Sequence, residues 1–337
     1  MVSKKSTVLV TGGAGYLGSV LVPLLLEKGY QVKVLDLFFF GKKDLSQLKN
    51  KNLTLINLDA RYYPENILEG VNVVFDLVSI ASDNYSEDIG KQKVLDINLH
   101  SRVRTAALAK KRGVRRYILA SSCGVYGNQN RLLDETSPTN PLNLYAETCL
   151  AAEKKVLTLA DEKFNVTVFR QALLYGLSPR MRFDLVLNAM VLSLFQNKML
   201  TIWNEGKQWR PLIHVKEASD AYIKSIKAQD SKVNRQIFNL GFTEHNFQIN
   251  TLAKKILKAL KVRDAKIVLK ENKLSNRSYR VNCDKIKRAL DFKVRHTPEG
   301  GAIEIYQALK RGFFRALEKT LTINWYKKML NRNPSII

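Results

Sequence analysis

The sequence predicts an α/β fold, in which a doubly wound parallel sheet is joined to a smaller C-terminal lobe. Three observations support this prediction. Short apolar strands alternate with amphipathic helices through the first half of the chain. A glycine-rich turn at residues 11–18 connects the first strand to the first helix. After about residue 175 the alternation becomes less regular, which indicates a second structural unit.

The first βαβ unit is the clearest part of the pattern. Residues 6–11 form an apolar strand, and residues 19–28 follow as a helix with Leu21, Leu24 and Leu25 on one face. Gly29 ends that helix. Further strands are predicted at residues 31–35, 53–58, 71–78, 114–121, 166–170 and 236–240. Further helices are predicted at residues 94–112, 144–164, 181–194 and 251–260, and the tail from 298 to 332 is mostly helical.

Three segments are expected: a cofactor-binding domain at 1–175, a lobe at 176–310 interleaved with it, and a basic helical tail at 311–337. No Gly/Ser-rich linker marks the boundary, so we expect a cleft between interleaved units. The chain has 337 residues and a net charge of +25. Residues 252–290 and 310–337 carry +16 of that charge, which fits a solvated lysine-rich face or contact with an anionic partner.

Composition excludes several classes of protein. The three cysteines lie far apart in a long chain, which argues against a disulfide scaffold. No apolar run reaches about 18 residues, and the basic start lacks a cleavable signal pattern. We therefore expect a cytoplasmic protein. No zinc-finger spacing or RNA-binding aromatic motif accompanies the basic charge, so nucleic acid is not expected as a partner. The four histidines are isolated, so no metal site is predicted.

The glycine-rich turn has the spacing of a phosphate-binding loop. Gly13, Gly15 and Gly18 satisfy G-x-G-x-x-G, and Gly12, Gly15 and Gly18 satisfy a second spacing of the same kind. Such a loop lets the backbone approach a pyrophosphate at a helix N-terminus, as in Rossmann-type folds. Asp36 ends the second strand, where its carboxylate accepts hydrogen bonds from an adenosine ribose and repels a 2′-phosphate. The sequence therefore predicts NAD rather than NADP.

A second group of polar residues follows a later strand. The segment Ser121-Ser122-Cys123-Gly124-Val125-Tyr126-Gly127 lies where open α/β sheets bind their ligands, and Tyr145 follows at the start of a long helix. With these residues, the chain resembles the extended short-chain dehydrogenase/reductase family, that is, the NAD-dependent sugar-nucleotide epimerases and dehydratases. The resemblance covers about residues 5–310. It rests on residues 11–18, Asp36, 59–61, Asn98, 121–127, 143–145 and 210–215.

The resemblance implies a catalytic pair. Tyr145 would remove a proton from a sugar hydroxyl while hydride passes to the nicotinamide, and Ser122 would share the hydrogen bond to that hydroxyl. The family has a lysine four residues after the tyrosine, which binds the nicotinamide ribose and lowers the tyrosine pKa. Here that position is Cys149. We list Cys149 with the catalytic positions, although a small helical filler explains it as well as a reactive thiol does.

The missing lysine leaves two functions open. A phenol has a pKa of about 10, so roughly one in a thousand is ionised at pH 7. A neutral thiol does not lower that pKa. The first hypothesis is an NAD-dependent sugar-nucleotide epimerase or 4-keto reductase with another source of positive charge. The alternative is a protein that binds NAD and a nucleotide sugar with weak or lost catalysis. Dehydration is disfavoured, because Cys123 and Gly124 stand where the resembling 4,6-dehydratases carry Asp-Glu.

The resemblance also implies binding residues. The cofactor-binding set is Gly12, Gly15, Tyr16, Leu17, Gly18, Asp36, Asp59, Ala60, Leu77, Asn98 and Tyr145. The substrate set is Ser122, Asn188, Arg210, Arg277 and Arg180. Arginine suits diphosphate oxygens, and the match to a family arginine favours this role for Arg210, whereas Arg180 and Arg277 are equally consistent with a surface ion pair. Asp76 is predicted to end a strand, and His214 to form a structural hydrogen bond. The partner would be a nucleotide-diphosphate sugar.

Two further contacts are expected. By resemblance, two copies would pair through the helices at 94–112 and 144–164, giving a homodimer. The basic tail at 311–337 would make a weak contact with an anionic membrane surface.

Overall fold

The computed structural model describes residues 6–81, 89–271, 277–314 and 317–332. The basic start at 1–5 and the end of the tail at 333–337 lie outside the described residues. The central element is a seven-stranded, all-parallel sheet with the strand order β11-β7-β5-β4-β1-β2-β3. Its strands are β1 (Thr7–Thr11), β2 (Gln31–Asp36), β3 (Leu53–Asn57), β4 (Val71–Asp76), β5 (Arg116–Ser122), β7 (Asn165–Gln171) and β11 (Gln236–Leu240).

The order of these strands places the cleft. From β1 the chain proceeds outward to β2 and β3, and then returns to the other side of β1 with β4. The direction therefore reverses between β1 and β4, and ligands of such sheets bind beyond the carboxyl ends of the strands at this reversal. The predicted doubly wound sheet is confirmed.

Helices cover both faces of the sheet. They are α1 (Gly18–Glu27), α2 (Lys43–Ser46), α3 (Lys91–Leu95), α4 (Ser101–Lys111), α5 (Leu144–Leu157), α6 (Val186–Asn197), α7 (Val215–Lys227), α8 (Asp230–Val233), α9 (Ile249–Leu260), α10 (Asp284–Leu290), α11 (Pro298–Lys310) and α12 (Thr322–Arg332). A π-helical stretch, Asp96–His100, joins α3 to α4. Together these three pieces form the single helix that the sequence predicts at 94–112.

The strands are buried on both faces, which explains their nearly continuous apolar runs. In β1, Val8 and Val10 face one apolar layer, and Leu9 faces the other. One layer extends into the C-terminal lobe, while the second lies under α4 and α5. A third, smaller cluster joins Ile80, Val94 and Leu144 to Tyr326 of the tail.

Short strands build the lobe beside the cleft. Its strands are β6 (Asn128–Leu133), β8 (Leu173–Tyr175), β9 (Met199–Trp203), β10 (Trp209–His214), β12 (Asn246–Gln248), β13 (Lys266–Lys270) and β14 (Ser278–Val281). They form sheets of two or three strands, with β10 between β8 and β12. Because β11 returns to the edge of the main sheet between these pieces, the lobe is interleaved with the main sheet in space.

Two helix predictions are wrong at one end. The helix expected at 181–194 begins only at Val186, because residues 181–185 form a turn whose Phe183 N–H donates to Thr320 O. The helix expected at 144–164 ends at Leu157. There Asp161 turns the chain toward β7 by accepting the N–H groups of Lys163 and Phe164. In the described residues, no helix is long and apolar enough to cross a membrane.

Candidate active site

The glycine loop between β1 and α1 is shaped by steric limits on its backbone. Gly12 has a φ of +66°, and a Cβ there would lie 2.8 Å from the backbone of Val78. A Cβ on Gly18 would lie 2.4 Å from the carbonyl oxygen of Gly13. Real Cβ contacts are not this short, so only glycine allows the loop to fold against β4 and against itself.

Gly15 has a different role in the same loop. A Cβ there would meet only the Gly12 carbonyl oxygen, at 3.1 Å, and Gly15 lines the open cleft. The next helix, α1, begins without a side-chain cap, because its N-cap residue is Leu17. The loop therefore presents bare backbone and a helix N-terminus to the cleft, which is the environment that phosphate oxygens require.

Asp36 lies at the end of β2 and lines the cleft. Its Oδ2 accepts the N–H of Ala14 at 2.9 Å, and its Oδ1 accepts the N–H of Phe38 at 2.7 Å. Burial raises the pKa of Asp36 above its ordinary value, while these two backbone bonds and the nearby Arg180 act in the opposite direction. The carboxylate is thus fixed in orientation, and each oxygen keeps a lone pair for a ribose hydroxyl.

The remaining walls of the cleft come from the neighbouring strand ends. The predicted residues Asp59, Ala60 and Leu77 all line it. Asp59 forms an ion pair with Arg61, in which Arg61 Nη2 lies 2.6 Å from Asp59 Oδ2. The Asp59 carboxylate is therefore already paired within the protein. Tyr16 turns away from the cleft, because its hydroxyl donates to Gly176 O at 2.5 Å.

Asn98 lies in the π-helical stretch and is fully buried. Its Oδ1 accepts the N–H of Ile80 at 2.8 Å, and its Nδ2 lies 3.4 Å from the Thr148 hydroxyl on α5. Asn98 therefore fixes the Ser79–Ile80 wall of the cleft and connects it to the helix that carries Tyr145. The structure assigns it this connecting position rather than a place on the cleft surface.

Ser122 and Tyr145 lie on adjacent elements at the carboxyl edge of the sheet. Ser122 is the last residue of β5, and its Oγ accepts the N–H of Gly124 at 3.0 Å. Tyr145 is in the first turn of α5, which packs on β5 and on the turn that follows it. The helix starts here because the Asn143 side chain caps it by accepting the Ala146 N–H at 2.9 Å.

Cys149 is fully buried in the main apolar cluster. It lies one turn after Tyr145, on the face of α5 that packs into the protein. The structure therefore supports the interpretation of Cys149 as a small core residue at the position of the family lysine. Cys123 is also fully buried, and burial raises the pKa of its thiol well above the ordinary value.

A buried charged network supports this end of the cleft, and sequence reasoning missed it. Arg170 of β7 pairs with Glu153 of α5 through its Nε and Nη2, at 3.1 and 2.8 Å from Oε2. Glu153 also accepts the hydroxyl of Ser121, next to Ser122. All three residues are buried, so the network fixes α5 and Tyr145 relative to the end of β5.

Two predicted substrate residues meet in the lobe. Arg210 of β10 is buried, and its Nη1 donates to the carbonyl oxygen of Arg277. Its guanidinium also lies over the ring of Tyr279, 5.8 Å from the centroid. The structure thus places the Arg210 side chain against the backbone of Arg277, and the predicted diphosphate site stays a prediction.

The other two predicted substrate residues have different positions. Asn188 is fully buried, donates to the Tyr16 hydroxyl and to Arg182 O, and accepts the Gly176 N–H. It connects the glycine loop to the lobe. Arg180 lies on the cofactor side, with its guanidinium 3.6 Å from the Phe40 ring centroid. The substrate contacts predicted for these two residues stay predictions.

The basic tail reaches the cofactor cleft. Tyr326 of α12 lines the cleft together with Phe40, and the two ring centroids are 5.4 Å apart in an edge-to-face arrangement. The indole of Trp325 donates to Phe39 O at 2.8 Å. The aromatic residues after Asp36 thus pack against the tail, a contact between residues almost 300 positions apart that no local pattern indicates.

These features define the class of protein as an α/β protein of the dinucleotide-binding type, with its cleft beyond the carboxyl ends of the strands. Comparison with known proteins identifies the family. The model of the NAD dependent epimerase/dehydratase family matches residues 8–241, and the chain belongs to this family. It is therefore an NAD-dependent enzyme, and the hypothesis of a protein that only binds is not favoured.

Several curated proteins are similar in sequence. The chain is 29% identical over 223 residues to an uncharacterized UDP-glucose epimerase of Bacillus subtilis, covering 62% of this chain and 69% of the relative. It is 29% identical over 242 residues to a putative UDP-glucose 4-epimerase of Methanocaldococcus jannaschii, covering 67% and 75%. It is 30% identical over 252 residues to UDP-glucuronic acid decarboxylase 1 of Danio rerio, covering 72% and 58%.

Solved structures share the fold. The UDP-N-acetylglucosamine 4-epimerase of Methanobrevibacter ruminantium, solved with UDP-N-acetylmuramic acid, superimposes with a TM-score of 0.83 at 23% identity. This match covers 92% of this chain and all of that one. The UDP-glucuronic acid 4-epimerase of Bacillus cereus, solved with UDP-glucuronic acid and NAD, gives 0.81 at 20% identity, covering 90% and 99%. These likenesses confirm the Rossmann-type fold.

The cleft of this chain fits the family's cofactor. The open position of Gly15, the uncapped start of α1 and the fixed carboxylate of Asp36 lie in one continuous cleft. They match a pyrophosphate and an adjoining ribose. The carboxylate also opposes an additional 2′-phosphate, which agrees with NAD as the cofactor.

Proposed function

We propose that the chain is an NAD-dependent epimerase of a UDP-sugar that acts through a transient keto-sugar. The observation that carries this proposal is the position of Ser122 and Tyr145 on adjacent elements, at the end of β5 and in the first turn of α5. The similar proteins named above include UDP-glucose epimerases and UDP-glucuronic acid decarboxylases. We therefore propose a nucleotide-diphosphate sugar as the substrate.

The chain's own residues provide the proton chemistry, while bound NAD provides a hydride acceptor and donor. Tyr145 removes the proton of a sugar hydroxyl as hydride leaves the same carbon. Ser122 Oγ accepts the N–H of Gly124, which leaves its hydroxyl proton to be donated to the sugar oxygen. After the keto-sugar has turned in the cleft so that its opposite face is presented, Tyr145 would return the proton to the sugar oxygen.

The turn after β5 favours epimerisation over loss of water. Elimination needs an acid and a base near the sugar in addition to the tyrosine. Cys123 is fully buried and donates to Arg170 O at 3.1 Å, and Gly124 has no side chain. This turn therefore supplies neither group.

The diphosphate of the sugar nucleotide is assigned to the lobe. Arg210 contacts the backbone of Arg277 there, and a guanidinium group can bind phosphate oxygens through two parallel hydrogen bonds. Arg280 stacks on Trp209 next to them, with 5.0 Å between the guanidinium carbon and the ring centroid. This basic and aromatic surface suits a nucleotide diphosphate.

The test is turnover on a panel of UDP-, GDP-, dTDP- and CDP-sugars with NAD, with products identified by NMR. We expect conversion of a UDP-hexose into its epimer, and no conversion by the Tyr145→Phe variant. Release of carbon dioxide from UDP-glucuronic acid without epimer formation would contradict the proposal in favour of a decarboxylase. Binding of NAD and UDP-sugars without turnover would contradict it in favour of the non-catalytic alternative.

We further propose a homodimer that pairs through α4 and α5. Val103 and Leu108 on α4 and Ala151 and Leu157 on α5 are apolar residues that pack at the edge of the second interior layer and remain partly exposed. Sedimentation equilibrium should give twice the monomer mass, and Val103→Glu should return the protein to the monomer. A monomeric native protein would contradict this proposal.

A weak contact of the basic tail with anionic membranes, and a cytoplasmic location, also remain proposals. Although α12 packs Tyr326 inward, its Lys327 and neighbouring basic residues lie on the same short helix. Co-sedimentation with phosphatidylserine vesicles at low salt tests the contact. Equal recovery with neutral vesicles would contradict it.

A further inference from the structure

The lysine missing at position 149 raises a physical question about Tyr145. A tyrosine that removes a proton near neutral pH works best when its ionised form is stabilised by a nearby positive charge. The core position of Cys149 does not supply that charge. Another cation of this chain is therefore needed near the tyrosine, and the buried Arg102 is the candidate.

Arg102 is a fully buried cation on the apolar side of α4. Its Nε and Nη2 donate to Val78 O at 2.9 and 2.6 Å, and its Nη1 donates to Ala120 O at 3.0 Å. Helical side chains tilt toward the helix N-terminus, so this side chain reaches back to the carboxyl edge of the sheet. The guanidinium thus lies between the ends of β4 and β5.

This position is close to the catalytic pair. Ala120, whose carbonyl binds the guanidinium, is two residues before Ser122. Asn98, one helical turn before Arg102, contacts Thr148, and Thr148 in turn donates to Tyr145 O at 2.9 Å. Burial on its own would lower the pKa of Arg102, but the Asp76 carboxylate, the Cys149 thiol and the Tyr145 phenol act on it electrostatically and raise it.

Other charged groups face this region, and the Asp76 carboxylate acts directly on the Arg102 guanidinium. The Asp76 carboxylate ends β4 and accepts Thr11 Oγ1 at 2.7 Å and the Tyr117 hydroxyl at 2.5 Å. Arg182 approaches Tyr145 from the lobe, but its guanidinium is paired with Asp184. The phenol of Tyr222 also lies within the field of Arg102, and burial raises its pKa, so it stays neutral.

We propose that Arg102 is a positioning residue for catalysis, a buried cation that stabilises ionised Tyr145 in place of a lysine at position 149. The proposal deepens the proposed function and rests on it, since Tyr145 needs ionisation only if it transfers a proton. In this account the carbonyl oxygens of Val78 and Ala120 hold the guanidinium, and its charge acts across the interior on the phenol. Cys149 then remains a packing residue.

The test measures the ionisation of Tyr145 directly. Tyrosine is labelled with ¹³C at Cζ, the protein is saturated with NAD, and the Tyr145 signal is assigned by its loss in Tyr145→Phe. Its pH midpoint is then followed in the native protein and in Arg102→Gln. We expect a native midpoint clearly below 10 and an increase of about one pH unit or more in Arg102→Gln.

Two further variants separate charge from structure. Arg102→Lys keeps the charge but loses the guanidinium fork, and it should keep the midpoint within a few tenths of a pH unit of the native value. Arg182→Gln removes the cation that is already paired, and it should shift the midpoint less than Arg102→Gln. A midpoint that moves equally in Arg102→Lys and Arg102→Gln would mean a structural role only and would overturn the proposal.

The native measurement keeps the proposal testable even if Arg102→Gln does not fold. A native Tyr145 midpoint at or above 10 overturns it without any variant. Failure of the proposed function is a separate result, because the NMR titration needs no sugar substrate. If the panel of sugars shows no turnover while Tyr145 ionises low and responds to Arg102, the proposed reaction fails and the electrostatic role of Arg102 stands.

Discussion

The cofactor end and the catalytic end of the cleft are built in different ways. The cofactor end is formed by backbone groups of residues 11–18 and by the carboxylate of Asp36. All of them belong to one βαβ unit. At the catalytic end, Ser122, Tyr145 and Arg102 come from separate elements. These residues come to the same edge of the sheet only when α4 and α5 pack together over its second apolar layer.

The difference shows which positions of a site tolerate substitution and which do not. A backbone loop depends on glycine at fixed positions, so its sequence is constrained and easy to detect. The effect of a positive charge on the pKa of a phenol depends only on the distance between them and on the local dielectric. A cation at more than one position in the sequence can therefore supply it. The catalytic end thus accepts a cysteine at position 149 provided that another positive charge lies nearby.

The largest expected effect tests the side-chain support of the catalytic end. Arg170→Met leaves the Glu153 carboxylate buried without its partner, and removing one half of a buried pair costs about 3–5 kcal/mol. Urea unfolding should show this loss in the free energy of unfolding. The double variant Arg170→Met/Glu153→Leu should recover most of it, and a single-variant loss below about 1 kcal/mol would contradict the account.

The glycine loop gives a matched pair of variants for the cofactor end. Gly18→Ala forces a Cβ to 2.4 Å from the Gly13 carbonyl, so we expect a loss of about 1–3 kcal/mol in stability together with weaker NAD binding. Gly15→Ala meets only one atom at 3.1 Å and projects into the cleft. Calorimetry should therefore find weaker NAD binding with nearly native stability. Equal stability losses in both variants would contradict the distinction.

A smaller effect is expected where the tail joins the two ends. Trp325→Phe removes the hydrogen bond from the indole to Phe39 O, which is worth about 0.5–1.5 kcal/mol. The tail helix should loosen from the cleft, and the Kd for NAD should change several-fold. Lys327→Ala is the matched control on the same helix, and an equal change there would show that the tail acts through its charge.

The smallest effect concerns the Glu304 carboxylate, which is bound by His214 and Lys216. Burial acts to raise the pKa of Glu304, but hydrogen bonds from His214 at 3.1 Å and Lys216 at 2.8 Å outweigh it and lower the pKa to about 2. A lowered carboxyl pKa gives stability that is complete above about pH 4.5 and is lost as the pH falls toward 2. The Tm of Glu304→Gln should therefore vary less with pH across that window than the native Tm. Parallel curves would contradict this.

The same contrast explains how much the sequence predicts. The glycine loop, Asp36 and the strands of the main sheet follow from local patterns of apolar residues and glycine, and the structure confirms them. The Ser122–Tyr145 pair is also recognisable, because each residue lies at a fixed distance from the start or end of its element. His214 is a structural hydrogen-bonding residue as predicted, since its ring caps α7 by accepting the Lys216 N–H.

What the sequence does not predict depends on long-range packing. Asn188 and Arg180 have the residue types of ligand contacts, yet folding directs them to Tyr16 and Phe40. The tail helix reaches the cofactor cleft through Tyr326, although no local pattern shows its destination. Arg102 leaves one trace: it is a charged residue on a helix face otherwise lined by small buried residues, Ser101, Thr105, Ala106 and Ala109.

The most direct test of the central claim is single-turnover conversion of a UDP-sugar by the native protein and by Cys149→Lys, each saturated with NAD. The account predicts that the native protein converts the sugar. It also predicts that the lysine variant is no faster, because it adds a second buried cation near Arg102 at a fully buried position. Turnover by the lysine variant alone would contradict the account and would mean that the natural site lacks a working proton acceptor.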